Sequence, residues 1–175
     1  MRTLTDRSSQ FTLLNAKLTD AGAYSVVVSN LVGASLLSSV ALLSVLADGD
    51  GDRIADLWEM AFGLNPADPL DAGKDRDGDQ MSNLAEYIAG TDPRDPLGFL
   101  RMERISAEGL AVSLQFLARS KRTYSVLFQD ELASGTWSNL ERVFARITNW
   151  TAIVIDRTAQ ANRFYRLLTP AQPEP

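Results

Sequence analysis

DGDGDRIADLWEMAFGLNPADPL, residues 48–70, returns 27 residues later as DRDGDQMSNLAEYIAGTDPRDPL, residues 75–97. Stacked without a gap, the copies coincide at Asp48/Asp75, Asp50/Asp77, Gly51/Gly78, Asp52/Asp79, Leu57/Leu84 and Glu59/Glu86. They coincide again at Gly63/Gly90, Pro66/Pro93, Asp68/Asp95, Pro69/Pro96 and Leu70/Leu97. Carboxylates, turn formers and apolar anchors are what is kept. Read as a twelve-position loop, the first copy offers side-chain oxygens at positions 1, 3, 5, 9 and 12 from Asp48, Asp50, Asp52, Asp56 and Glu59. The second offers Asp75, Asp77, Asp79, Asn83 and Glu86. Ile54 and Met81 stand at position 7, where a loop of this kind uses only the backbone carbonyl. Their apolar side chains are then free to enter a core.

Three carboxylates two residues apart converge only if the backbone curls around one point, and without a cation they repel. Six to eight oxygen ligands suit Ca²⁺, whereas Mg²⁺ is usually held by one or two carboxylates and keeps several waters. Zinc and copper would lack their preferred ligands, because the chain has no His and no Cys. Two in-register copies, each with Glu at position 12, argue against a merely solvated acidic face, so the expectation is two Ca²⁺ ions, one per loop. Gly51 and Gly78 at position 4 ease the curl. Position 6 departs from the usual pattern. Arg53 and Gln80 stand where a glycine with positive φ is customary, at a cost on the order of 1 kcal/mol or more.

ADLWEMAFG and SNLAEYIAG each allow two helical turns before a glycine C-cap and an Asn-Pro or Asp-Pro stop. The residues before Asp48 read as a strand, so each copy is loop–helix, not helix–loop–helix. Residues 48–97 resemble the aspartate-rich calcium repeats of the thrombospondin type 3 and dockerin kind found in bacterial surface proteins. There a D-x-D-x-D-G-x-x-D-x-x-E stretch leads into a short helix and a G-[TL]-[ND]-P turn. The resemblance implies that further acidic residues ligate or brace the ions, which makes Asp71, Asp92 and Asp95 secondary candidates. Capping or turn-making by these three is the alternative.

The segment 48–97 carries 13 Asp and Glu against 4 Lys and Arg, net −9, which leaves +4 for the remainder of a chain of net −5. No basic stripe marks a nucleic-acid partner. Before the repeat, apolar and polar residues alternate over 23–29 and 35–46, predicting two long strands joined by a turn at Asn30 and Gly33. Asp20-x-Gly22-x-Tyr24 followed by Ser25-Val26 resembles strands E, F and G of an immunoglobulin-like domain, over residues 8–46. That resemblance implies that Tyr24 is the tyrosine-corner residue and that Val26 replaces the second cysteine in a purely apolar core. Strands A to D have no counterpart, so Met1 is read as an internal start and the chain as the C-terminal part of a larger protein. The uncharged run 31–47 is short of a membrane span, holds four serines and is read as strand.

After the repeat, Leu110, Val112, Leu114 and Phe116 alternate with smaller or polar residues, as do Tyr124, Val126 and Phe128. Further apolar runs occupy 141–147, 151–155 and 162–168, with turn signals at 107–109, 120–121 and 133–135. Short strands at this spacing predict a small β-sandwich. The stretch resembles a C-terminal β-module that follows calcium repeats in large surface proteins of some Gram-negative bacteria, a likeness of architecture only. The expected fold is mainly β with a small α region. Its parts are an immunoglobulin-like portion over 1–47, the repeats over 48–97, a β-sandwich over 98–170 and a frayed tail over 171–175.

Without His or Cys there is no Ser-His-Asp triad, no thiolate nucleophile and no imidazole acid or base, so catalysis is not expected. The expected role is a calcium-stabilised spacer in a secreted or cell-surface multidomain protein. The alternative is an adhesion or recognition module, either a dockerin-like plug for a protein partner or a carbohydrate binder. Leu57-Trp58 and Leu84-Ala85, at loop positions 10 and 11, are expected to be buried, which disfavours the plug. Tyr124, Trp137, Trp150 and Tyr165 could carry sugar binding, but aromatics in a small β-sandwich mostly fill its core. Trp58 is expected to pack between the first repeat and its neighbour.

Overall fold

The computed structural model describes residues 11–30, 32–33, 35–131, 136–159 and 162–172. The first ten residues of the 1–47 segment, parts of the 31–47 run, the turn at 133–135 and the end of the tail therefore lie outside the described residues. Ten strands and two seven-residue helices make the described fold mainly β. No helix among these residues is long and apolar enough to cross a membrane.

The alternating stretch before the repeat forms one antiparallel hairpin in four short pieces. Strand β1 (Gly22–Tyr24) pairs with β4 (Ala41–Leu43), and β2 (Val27–Ser29) pairs with β3 (Ser35–Leu37). The registers Gly22↔Leu43 and Val27↔Leu37 differ by one residue, so the returning strand carries an extra residue at the break. Ser38 occupies it. Its N–H donates to the Val26 carbonyl at 2.8 Å, while its hydroxyl accepts the Val26 N–H at 2.9 Å and donates to the Ser39 carbonyl at 2.8 Å. This is a bulge, and it breaks the two long strands predicted from the alternation. Val26 is not in a core: it is 59% exposed, and Val28, Leu36 and Leu42 are exposed as well. A two-stranded ribbon has no second layer against which to bury either face.

The C-terminal part has two three-stranded antiparallel sheets. One runs in the order β5 (Arg104–Glu108), β6 (Ala111–Ala118), β9 (Trp150–Asp156). The other runs β10 (Phe164–Leu168), β7 (Tyr124–Gln129), β8 (Ser138–Val143). Leu114, Phe116, Ala118, Ala152 and Val154 from the first sheet meet Tyr124, Val126 and Val143 from the second in one buried cluster. Phe116 and Tyr124 meet edge to face at 5.1 Å, and the Arg119 N–H donates to the Tyr124 hydroxyl oxygen at 2.8 Å. Leu110 falls in the turn before β6 and is exposed, outside the alternation assigned to it. Strand β8 begins three residues before the 141–147 run and ends at Val143, leaving Phe144 and Ile147 exposed. The start of the tail is not frayed. Ala171 and Gln172 donate backbone N–H groups to Thr123 Oγ1 and Ser125 Oγ at 3.1 and 2.9 Å, covering the outer face of β7.

A buried charge cluster closes this module. Burial pushes the Asp156 carboxyl up, but hydrogen bonds from Arg163, Thr158 and Tyr165 outweigh it and hold the group at about 2. Arg163 also forks onto Asp130 at 2.7 and 3.1 Å, joining the ends of β7, β9 and β10. Because the core lies between the two sheets and not at the hairpin, Phe116→Ala is expected to cost about 3–5 kcal/mol in urea unfolding. Val28→Ala, on the exposed hairpin, is expected to stay within about 0.5 kcal/mol. Equal losses at both sites would place the core wrongly.

Candidate metal centre

The loops are built by their own aspartates. The Asp48 carboxylate accepts the N–H of Gly51 on one oxygen (2.8 Å) and of Arg53 on the other (3.1 Å). Asp75 does the same with Gly78 (2.7 Å) and Gln80 (2.9 Å). Asp50 and Asp77 each use one oxygen for the N–H two residues on, and so do Asp52 and Asp79. The second oxygens of Asp50, Asp52, Asp77 and Asp79 are buried without a hydrogen-bond partner. One oxygen of each thus shapes the turn and the other faces inward. The curl takes positive φ at Gly51 and Gly78, at 81° and 83°, and again at Arg53 and Gln80, at 79° and 77°. The left-handed turn at position 6 is therefore kept without glycine, at a steric cost on the order of 1 kcal/mol each.

Position 7 turns its apolar side chain away from the loop, with Ile54 fully buried and Met81 half-buried. Position 9 begins each helix, α1 (Asp56–Phe62) and α2 (Asn83–Ala89). Asp56 Oδ1 accepts the Gly49 N–H at 2.6 Å, so this carboxylate braces the start of its own loop and stands apart from the converging clusters. Asn83 is buried. Its Nδ2 donates to the Asp71 carbonyl at 2.7 Å, and its Oδ1 has no partner. Ser82 caps α2 by accepting the Ala85 N–H, while Ala55 gives α1 no side-chain cap.

Position 12 carries the strongest signal. Glu59 and Glu86 are 0% exposed, and none of their four carboxylate oxygens has a hydrogen-bond partner. Burial first, then the charges of Asp52 and Asp50, pushes Glu59 from its ordinary 4.5 to about 7. Burial, then Asp77, does the same to Glu86. An unpaired buried carboxylate costs several kcal/mol, and proteins rarely keep one without a counter-charge.

Three groups of carboxylates have ligand atoms mutually within 4.8 Å and could hold a metal ion: Asp48–Asp50–Asp52, Asp75–Asp77–Asp79 and Asp52–Glu59–Asp71. All donors are oxygens, which suits a hard cation. Of the secondary candidates only Asp71 is brought in. Asp92 is held below the usual carboxylate range chiefly by its hydrogen bond from Arg94, at 2.9 Å, and Asp95 accepts the Leu97 N–H in a turn. In the second copy the residue in the register of Asp71 is Gly98.

Each helix stops at a left-handed glycine, Gly63 or Gly90, and an arginine from the next unit closes its C-terminus. Arg76 donates to the Phe62 and Gly63 carbonyls, both at 2.8 Å, and Arg122 donates to the Tyr87 carbonyl at 2.6 Å. A Cβ at Gly63 or Gly90 would meet that guanidinium at 3.4 or 3.1 Å, so glycine serves both the φ and the approach. Trp58 packs at a tilt against Phe62, with ring centroids 4.5 Å apart, and meets Tyr87 edge-on at 5.3 Å, packing the repeats together. Leu57, expected inside, is 72% exposed, and Trp58, Leu84 and Ala85 are half-buried. Residues two apart on a helix point to opposite sides, so burying Glu59 turns Leu57 outward. Tyr124 is fully buried in the β-core and offers no platform to a sugar; Trp150 and Tyr165 pack against that core.

With metal chelated, folded Glu59 and Glu86 hold protons between about 4.5 and 7 that the unfolded chain has released. Folding stability in chelator is therefore expected to fall as pH rises across that window, read as melting temperature against pH. The double variant Glu59→Gln/Glu86→Gln should show a flatter profile over the same range. A wild-type profile that rises there would contradict the assigned environments.

Comparison with protein-family models, curated proteins and solved structures gives no match.

Proposed function

We propose that this chain is a non-catalytic, calcium-binding spacer segment of a secreted or cell-surface multidomain protein. Two Ca²⁺ ions order the thrombospondin type 3 or dockerin-like repeats between an immunoglobulin-like portion and the C-terminal β-sandwich. The observation that carries this reading is the pair Glu59 and Glu86, buried and unpartnered at the end of two loops of aspartates. Calcium is favoured over magnesium because each loop gathers three aspartates whose ligand atoms lie within 4.8 Å of one another, where Mg²⁺ is usually held by one or two carboxylates. The ligand set is Asp48, Asp50, Asp52, the Ile54 carbonyl and Glu59 in the first loop, and Asp75, Asp77, Asp79, the Met81 carbonyl and Glu86 in the second. Asp56 and Asn83 act at position 9 as braces or through water.

The spacer role follows from what the ordered loops hold. Arg76 ties the first helix to the second loop, and Arg122 ties the second helix to the β-module. Ordering the acidic segment therefore sets the course of the chain between its neighbours. The immunoglobulin-like reading is supported by the Tyr24 hydroxyl, which donates to the Asp20 carbonyl at 2.6 Å as a tyrosine corner does. Exposed Leu57, Met60, Leu70 and Leu97 favour the second reading, a recognition module for a protein or polysaccharide surface. That reading requires calcium-dependent binding to such a partner, which a spacer does not.

Extracellular calcium modules bind with Kd of about 10⁻⁴–10⁻³ M. At tenfold excess over Kd, each site is expected to stabilise the fold by about 1.4 kcal/mol. Calorimetric titration, with melting in millimolar calcium and in chelator, checks this. Absence of both binding heat and a melting shift would remove the calcium role.

A further inference from the structure

We propose that Asp71, which lies in the connector between the repeats and outside both twelve-residue loops, is a direct ligand of the ion in the first loop. The first site then has five carboxylates and binds more tightly than the second. The inference rests on the calcium reading above and adds to it an inequality between the sites and a coupling from the first ion to the second repeat.

Asp71 is only 6% exposed, and its two oxygens are used differently. Oδ2 accepts the Asn65 N–H at 2.9 Å, which fixes the side chain across the turn that follows α1. Oδ1 is buried without a partner. Ligand atoms of Asp71, Glu59 and Asp52 lie within 4.8 Å of one another, and Asp52 also belongs to the group with Asp48 and Asp50. The fully buried, unpartnered carboxylate of Glu59 thus shares one place with Asp71. Three carboxylates gathered there repel, and a divalent cation is what draws them together.

Among the described residues no carboxylate takes the same place in the second site. Gly98 stands in the same register, and a Cβ there would sit 3.0 Å from the Asp95 carbonyl oxygen and 3.2 Å from its carboxylate. A side chain at that position would crowd the Asp95 backbone. The second loop is left with Asp75, Asp77, Asp79 and Glu86.

The backbone of Asp71 leads into the second repeat. Its carbonyl accepts from Asn83 Nδ2 at 2.7 Å and from the Lys74 N–H at 3.0 Å, and the neighbouring Ala72 carbonyl accepts the Leu84 N–H at 3.0 Å. Pulling the Asp71 carboxylate onto the first ion therefore holds the start of α2 in place. The second loop closes on a helix that the first ion has already positioned.

The test is calorimetric calcium titration of the full chain and of Asp71→Asn, with melting of both in chelator and in calcium. Asparagine keeps an acceptor for the Asn65 N–H and removes the charge. The expected result is two unequal sites in the wild type and at least a tenfold weakening of the tighter one in the variant. In chelator the variant should melt at or above the wild type, because a repulsive charge has gone; in calcium it should melt below. Unchanged titration of the variant, or an equal melting loss in both conditions, overturns the role of Asp71 and leaves the calcium reading standing. A wild type that binds no calcium overturns both.

Discussion

Carboxylates buried against one another without a protein cation are the constraint on which this structure turns. Among the described residues none of the loop aspartates, nor Glu59 or Glu86, takes part in a salt bridge. Each aspartate spends an oxygen on its own backbone, so the turn and the acidic cavity are one construction. The helices inherit their shape from it. Position 12 must point inward, which decides the helix face that is buried and sends Leu57 to solvent.

The same chain shows the alternative solution a short distance away. Asp156 is as completely buried as Glu59, yet it is met by Arg163, Tyr165 and Thr158 and stays ionised, held at about 2. Glu59 and Glu86 are pushed up to about 7, first by burial and then by the charges of neighbouring aspartates, which the Thr91 hydroxyl beside Glu86 only partly offsets. Asp156 is a structural lock; Glu59 shares with Asp52 and Asp71 a group that could hold a metal ion, and Glu86 is buried with neither carboxylate oxygen paired.

Arginines also do the joining. The carbonyls left open at a helix C-terminus need donors, and here each helix takes them from the unit that follows. Glycine at Gly63 and Gly90 makes room for the guanidinium as well as for the left-handed cap. Each helix is thereby joined to the element that follows by hydrogen bonds, and the contacts of Trp58 with Phe62 and Tyr87 add apolar packing between the repeats. The core of the C-terminal module is separate and apolar, and the N-terminal hairpin has none among its described residues.

Much of this was legible in the residues alone. The spacing Asp48-x-Asp50-x-Asp52 with Glu59 seven residues beyond Asp52, repeated at 27 residues, sets the loops and their short helices, because ligand spacing and helix stops are local properties of the chain. The alternation around Phe116 and Tyr124 likewise marked core strands, since burial on one face of a sheet has a period of two. What depended on partners distant in sequence was not legible. Ser38 splits the hairpin through a bulge that only its opposite strand reveals, and β8 takes its bounds from its pairing with β7. Asp71 stands outside the repeat, and the residues alone named it with Asp92 and Asp95 without separating the three. The sequence by itself determined the acidic loops; only the tertiary structure decided which further carboxylate reaches them, because convergence is set by how the connector folds back and not by its place in the chain.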